Sequence, residues 1–181
     1  MNPEQIKLAI TLDDGSLKIM SFLTKGRGAS LPEFAEWTEV DGWWKRDPSD
    51  LAILDELART FPPQDLDGTP RPQPIGFRRI SDSELPADRT YREAWKDSGE
   101  TIVHDMPRAR VIHLSRVRVA RAAKLDQLDR DWMRATGRGD KAGVLEAEDR
   151  RQLLRDLPAS LDVESAQTVE DLKQRWPALL G

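Results

Sequence analysis

Asp105-Met106-Pro107-Arg108-Ala109-Arg110-Val111-Ile112-His113-Leu114 opens the longest helix the sequence specifies, and the rest of the architecture is read outward from it. The Asp105 carboxylate can accept from amide groups of the first turn, which lack intrahelical partners, and Pro107 costs little there for the same reason. Downstream, Val111, Leu114, Leu125, Leu128, Trp132 and Ala135 recur at spacings of three or four and sums of these, with Arg118 and Arg121 filling the intervening stripe positions. This predicts one amphipathic, basic helix to Ala135, closed by Gly137 and Gly139, which tolerate the left-handed conformation of a helix end.

On the far side of those glycines, Asp140 caps a second helix to about Leu157. Val144, Ala147, Leu154 and Leu157 form its stripe, Leu145 and Leu153 flank it, and Pro158 breaks it. The short glycine-bearing link makes an antiparallel helical hairpin the expected geometry, each helix burying the stripe of the other. Thr168-Val169-Glu170-Asp171 has the form of a capping box and opens a short helix through Leu172 that ends at Trp176-Pro177.

Upstream, residues 85–95 read as a clamp leading into the long helix. Ile75-Gly76-Phe77-Arg78-Arg79-Ile80 reads as a short strand. The five prolines and one glycine between Pro62 and Pro74 leave no hydrophobic period and mark a linker or long surface loop. Asp47-Pro48-Ser49-Asp50 starts a helix with Leu51, Leu54, Leu57, Ala58 and Phe61 on one side, ended by Pro62-Pro63. At the N-terminus, Ile6 to Leu23 alternates as a β-hairpin about Asp14-Gly15. A two-residue turn there sets Leu12 opposite Leu17, Ile10 opposite Ile19, Leu8 opposite Ser21 and Ile6 opposite Leu23. The aliphatic face so formed needs a cover, either the helix that follows or another subunit. Between them lie a short helix candidate over 31–37 and the cluster Trp37, Trp43 and Trp44, either a stacking platform or residues on opposite faces of a short strand. The acids Glu33, Glu36, Glu39 and Asp41 around it repel phosphate.

The expected fold is therefore α+β: a small antiparallel N-terminal sheet with a covering helix (1–61), a proline-rich linker and short strand (62–84), and a helical hairpin with a short terminal helix (85–181). Across 181 residues the formal charge is only −4, so nothing global indicates nucleic acid or an anionic membrane. Cysteine is absent, which removes disulfides, thiolate nucleophiles and cysteine-ligated zinc. No apolar run approaches the roughly 20 residues of a membrane span, and Met1-Asn2-Pro3-Glu4-Gln5 does not begin an export signal. A soluble protein made in a cytoplasm is expected.

His104 and His113 are nine apart and share no helical face, so they do not make a metal pair. The carboxylates show no acid–base or nucleophile pattern, and the glycine pairs Gly26/Gly28 and Gly137/Gly139 lack the context of a phosphate or dinucleotide loop. No cofactor and no catalysis are expected. Arg108, Arg110, Arg116, Arg118, Arg121 and Lys124 run without an intervening acid, which makes a DNA-binding accessory role the alternative. The acids Asp126, Asp129, Asp131, Glu146, Glu148, Asp149 and Asp156, brought alongside by the hairpin, offer these cations intramolecular partners instead.

Three runs carry a family resemblance: Leu85-Pro86-Ala87-Asp88-Arg89-Thr90-Tyr91-Arg92-Glu93-Ala94-Trp95, Asp105 to His113, and Arg151-Gln152-Leu153-Leu154-Arg155-Asp156-Leu157-Pro158 through Thr168-Val169-Glu170-Asp171-Leu172 to Trp176-Pro177. Over roughly residues 75 to 177 the chain resembles a group of tailed-bacteriophage proteins found with tail genes, similar in the C-terminal half to tail and tail-fibre assembly chaperones. The resemblance implies a non-enzymatic protein that binds a phage tail or tail-fibre protein during assembly, or stays in the virion tail, with a homo-oligomer as a further possibility. The residues then expected to meet a partner are Arg89, Tyr91, Arg92, Trp95, Arg110, Arg118, Arg121, Trp132 and Trp176. Burial within the monomer competes with that role for each.

Overall fold

The computed structural model describes residues 5–26, 38–40, 43–45 and 48–181. The fold is α+β, and the chain divides into two compact units, Met1–Val103 and His104–Gly181.

The first unit is built on β1 (Gln5–Leu12), which pairs antiparallel with β2 (Leu17–Leu23) on one side and with β6 (Pro74–Ile80) on the other. A central strand has both edges paired and both faces covered, and Leu8, Ala9 and Ile10 are accordingly buried. Between β2 and β6 lie the short strands β3 (Lys25–Gly26), β4 (Thr38–Val40) and β5 (Trp43–Lys45), which form a separate small sheet in the order β3-β5-β4. Trp43 and Trp44 are thus successive residues of a strand. Trp37 and the helix expected over 31–37 lie outside the described residues.

The register of the β1–β2 hairpin differs by one residue from the expected one. Thr11 faces Leu17, Ala9 faces Ile19, Leu8 faces Met20 and Ile6 faces Phe22. The cause is the turn, which holds three residues, Asp13, Asp14 and Gly15. The Gly15 amide donates to the Leu12 carbonyl (3.0 Å), the Leu12 amide donates to Ser16 (2.9 Å), and Gly15 sits at φ 74°. This is a type I turn followed by a left-handed glycine, the usual form of a three-residue hairpin loop. A one-residue slip sends side chains to the other face. Leu8, Ile10, Leu12 and Phe22 therefore form one core, while Leu17 and Ile19 join Ala9 on the other side.

Each face has its own cover. On the first lies α1 (Asp50–Thr60), capped by Ser49, whose hydroxyl accepts from the Ala52 amide at 3.2 Å. It buries Ile53 and Leu57 against Leu8 and Ile10. Leu51 and Leu54, expected on the buried side, are 71% and 49% exposed, because Ile53 occupies the stripe position one turn before Leu57. The proline-rich segment is a loop inside the first unit. Its amides at Asp65, Gly68 and Arg71 donate to Thr69, Asp65 and Pro63, Gly68 takes φ 84°, and the chain returns as β6.

The second face is closed by residues 85–103, through the ribbon β7 (Trp95–Asp97) and β8 (Ile102–His104). Trp95 and Ile102 pack with Ala9 and Ile80, and Leu85, Leu17 and Ile19 pack against them. Residues 85–103 thus belong with the sheet and not with the helical hairpin, and the boundary falls near Val103 instead of in the 62–84 segment. The apolar second face, created by the register, is what recruits them.

Arg78 of β6 fixes this cover. Its Nη2 and Nε reach the two carboxylate oxygens of Asp97 at 2.9 and 3.2 Å, and its Nη1 pairs with Glu84. The guanidinium holds the carboxyls of Asp97 and Glu84 below their usual range. Truncation leaves Asp97, only partly solvated, without its fork-shaped partner. Arg78→Ala is expected to cost about 2 kcal/mol in urea unfolding, and Arg78→Lys to recover less than half of it, since an ammonium cannot span both oxygens.

In the second unit, α2 (Met106–Gly137) and α3 (Lys141–Ser160) form the expected antiparallel hairpin. Asp105 accepts from the Arg108 amide at 3.1 Å and Asp140 from the Gly143 amide at 3.0 Å. The reversal between them uses Gly139 at φ 69°. Val117, Leu154, Leu157 and Leu180 form the shared core, with Leu125 and Leu128 against it. α3 runs through Pro158 to Ser160 instead of stopping at it. A proline in the last turn disturbs only the hydrogen bond and carbonyl of the turn before it, and the buried Leu157 and half-buried Leu161 on either side hold the turn in place.

The stripe on α2 also differs from the expected one near its start. Ala109, His113 and Val117, spaced by four, are buried, while Val111 is 67% exposed. His113, at 1% exposure, is a core residue. Its ring is hydrogen-bonded to the backbone of Arg175 and meets Trp176 edge to face, with centroids 5.8 Å apart. Those partners lie just after α4 (Val169–Gln174), which opens with the expected capping box: the Thr168 hydroxyl accepts from Asp171 at 3.1 Å and the Asp171 carboxylate accepts from Thr168 at 3.0 Å.

Candidate functional site

The nine residues expected to meet a partner divide between the two units. Arg89, Tyr91, Arg92 and Trp95 belong to the first, and Arg110, Arg118, Arg121, Trp132 and Trp176 to the second. Within the first unit, Arg89, Arg92 and Trp95 converge on one cleft of about 480 Å³, while Tyr91 is buried beneath the surface and offers no contact area.

The cleft is a product of the corrected register. Leu17, Ile19 and Ser21 of β2 line one side because odd-numbered residues of that strand face the second core. Leu85, Trp95, Arg89 and Arg92 line the other side. A 3-10 turn over Arg92–Ala94, in which the Ala94 amide donates to Tyr91 at 2.8 Å, exposes Arg92 and buries Ala94 and Trp95 in successive positions. The floor is thus apolar. Its rim carries four cations, Lys7, Lys18, Arg89 and Arg92, against one acid, Glu93.

These cations are not equally engaged. Lys7 is paired with Asp82, whose carboxyl it holds below the ordinary value, with a smaller contribution from Arg89. Arg92 lies 3.9 Å from Glu93, a loose exposed contact. Lys18 and Arg89 make no ion pair among the described residues. In a chain of net charge −4 this is a local inversion of sign. Lys7, Lys18, Leu17 and Ile19 escape a reading of the sequence, since only the register places them beside Arg89 and Trp95.

In the second unit the basic helix is partly neutralised, though not by the acids expected. Arg110 reaches Glu164 at 3.4 Å and the Ala166 carbonyl at 2.8 Å, and Arg121 donates to the Arg155 carbonyl at 3.2 Å. Across the hairpin the ion pair runs the other way, from Arg151 of α3 to Asp129 of α2 at 3.0 Å, and Glu148 pairs with Arg151 and Arg155 on its own helix. Arg118 is exposed and makes no ion pair among the described residues. Trp132 is half-buried. Trp176, 36% exposed, has its indole N–H donated to the Gly181 carbonyl at 3.2 Å and its ring on His113. Trp176 thus serves the packing of its own unit.

Among the described residues no group of three or more His, Asp or Glu is placed to hold a metal ion, and no helix is long and apolar enough to cross a membrane. No protein-family model, curated protein or solved structure matches the chain.

Proposed function

We propose that this chain is a non-enzymatic binding protein of tail or tail-fibre assembly in a tailed bacteriophage, acting in the host cytoplasm or as a tail-associated subunit by holding another tail or fibre protein. The resemblance of residues 75 to 177 supplies the setting. The observation that carries the binding role is the first unit's cleft, where an apolar floor of Leu17, Ile19, Leu85 and Trp95 is framed by cations. An apolar floor with a charged rim suits recognition of a protein surface, the floor providing affinity and the rim orientation and encounter rate. The alternative role along residues 108–124 draws less support, because Arg110 and Arg121 are already turned onto carbonyls of their own unit.

The test is capture by the tagged full-length chain, co-expressed with the tail and fibre proteins of its phage. One of these is expected to be retained, and the double substitution Arg89→Glu/Arg92→Glu to reduce its recovery about tenfold or more. Retention of none of them, or retention of DNA that survives physiological salt, overturns the proposal.

A further inference from the structure

Apart from β1, no strand is hydrogen-bonded to β2 among the described residues, although β7 packs near it. Its backbone groups can be assigned from the hairpin. Leu12 and Ser16 form a hydrogen-bonded pair, and in an antiparallel ladder such pairs alternate with pairs whose amides and carbonyls point outward. The pairs at Lys18 and Met20 are therefore bonded to β1. Leu17, Ile19 and Ser21, facing Thr11, Ala9 and Lys7, direct their N–H and C=O groups to the open edge. These same three residues put their side chains into the cleft. One strand thus offers, at the same alternate positions, a backbone ladder that no strand fills among the described residues and one wall of a cationic apolar pocket.

We propose that a partner binds here as an extended, carboxylate-rich peptide segment with apolar residues between its acids, which adds as a strand beside β2. Backbone pairing would supply affinity, and pockets at alternate side chains would supply selectivity. Charge decides the occupant: Lys18 lies on the edge itself and Arg89 and Arg92 stand across the cleft, so acids on either face of the added strand meet a cation. A second copy of this chain is disfavoured by the same charges, since pairing two β2 edges would bring Lys18 and Arg92 toward their own equivalents. This inference rests on the binding role proposed above and names the chemistry of that partner.

The probe is a synthetic peptide of four Glu-Val repeats, titrated into the isotope-labelled full-length chain and followed by amide NMR. The largest shifts and slowed hydrogen exchange are expected at Leu17, Ile19 and Ser21. Lys18→Glu/Arg92→Glu should weaken binding about tenfold or more, and a probe N-methylated at alternate residues should lose a similar factor. Equal binding of a Lys-Val repeat peptide, insensitivity to the charge reversal, or shifts elsewhere overturn the proposal. So does a peptide-independent dimer through β2, or displacement of the probe by a short single-stranded DNA that binds more tightly. Peptide binding without capture of any tail or fibre protein would keep the cleft assignment and remove the assembly role. Capture that persists in a chain unable to bind the peptide would do the reverse.

Discussion

Leu57→Ala is expected to lower the stability of the first unit by about 3 kcal/mol, while Leu54→Ala, three residues earlier on the same helix, costs under about 1 kcal/mol. Leu57 is fully enclosed with Ile53, Leu8 and Ile10, so truncation removes buried methyl groups and leaves a cavity that a paired, twisted sheet cannot collapse to fill. Leu54 already has half its surface in water. The measurement is native-state amide exchange at Leu8 and Ile10 in the full-length chain, which reads opening of the sheet separately from the helical unit. Equal costs for the two substitutions would show that α1 lies on the sheet by a different face.

His113→Ala is expected to cost the second unit about 3 kcal/mol, combining a core cavity, the lost hydrogen bond to the Arg175 backbone and the lost edge contact with Trp176. The imidazole also makes that unit sensitive to pH. Burial, opposed in part by the Arg175 hydrogen bond and reinforced by Arg116, lowers its pKa from the ordinary 6.5. Above about 6.5 the ring is neutral in folded and unfolded chains alike, and its contribution is whole. As the pH falls through that value the unfolded chain takes up a proton that the folded ring resists, so stability declines toward the lowered folded pKa. Asp162 and Asp171, held below the ordinary 3.8 by hydrogen bonds from Ser165 and Thr168, add a separate loss only in stronger acid. Urea titrations between pH 7 and 5, followed by exchange at Val117, should show a slope that largely disappears in His113→Phe. An unchanged slope in that variant would assign the titration elsewhere.

Both predictions concern positions the sequence reads only in part. The covering helix, its start at Ser49 and its task are legible from Asp47-Pro48-Ser49-Asp50 and the leucines that follow. Its buried stripe is not, because Leu54 and Ile53 are equally apolar and only the sheet beneath selects between them. In the same way nothing local to His113 announces that the chain more than 60 residues later returns a backbone acceptor and an indole to it. The candidate cleft was visible in half: Arg89, Arg92 and Trp95 stand out within one short run, but their counterparts on β2 depend on the hairpin register.

The sequence by itself determined what is settled within a few residues of chain. Caps at Ser49, Asp105, Asp140 and Thr168, and the reversal near Gly139, follow from side chains bonding to amides three positions away. Tertiary structure decided which face of each element is inside. A three-residue turn in place of a two-residue one moved Leu17 and Ile19 through the sheet, and that apolar second face drew residues 85–103 away from the helices that follow them. The physical reason is that strand side chains alternate with a period of two, so a single-residue change in a turn inverts every choice downstream of it, and only contacts between distant residues can settle which choice is kept.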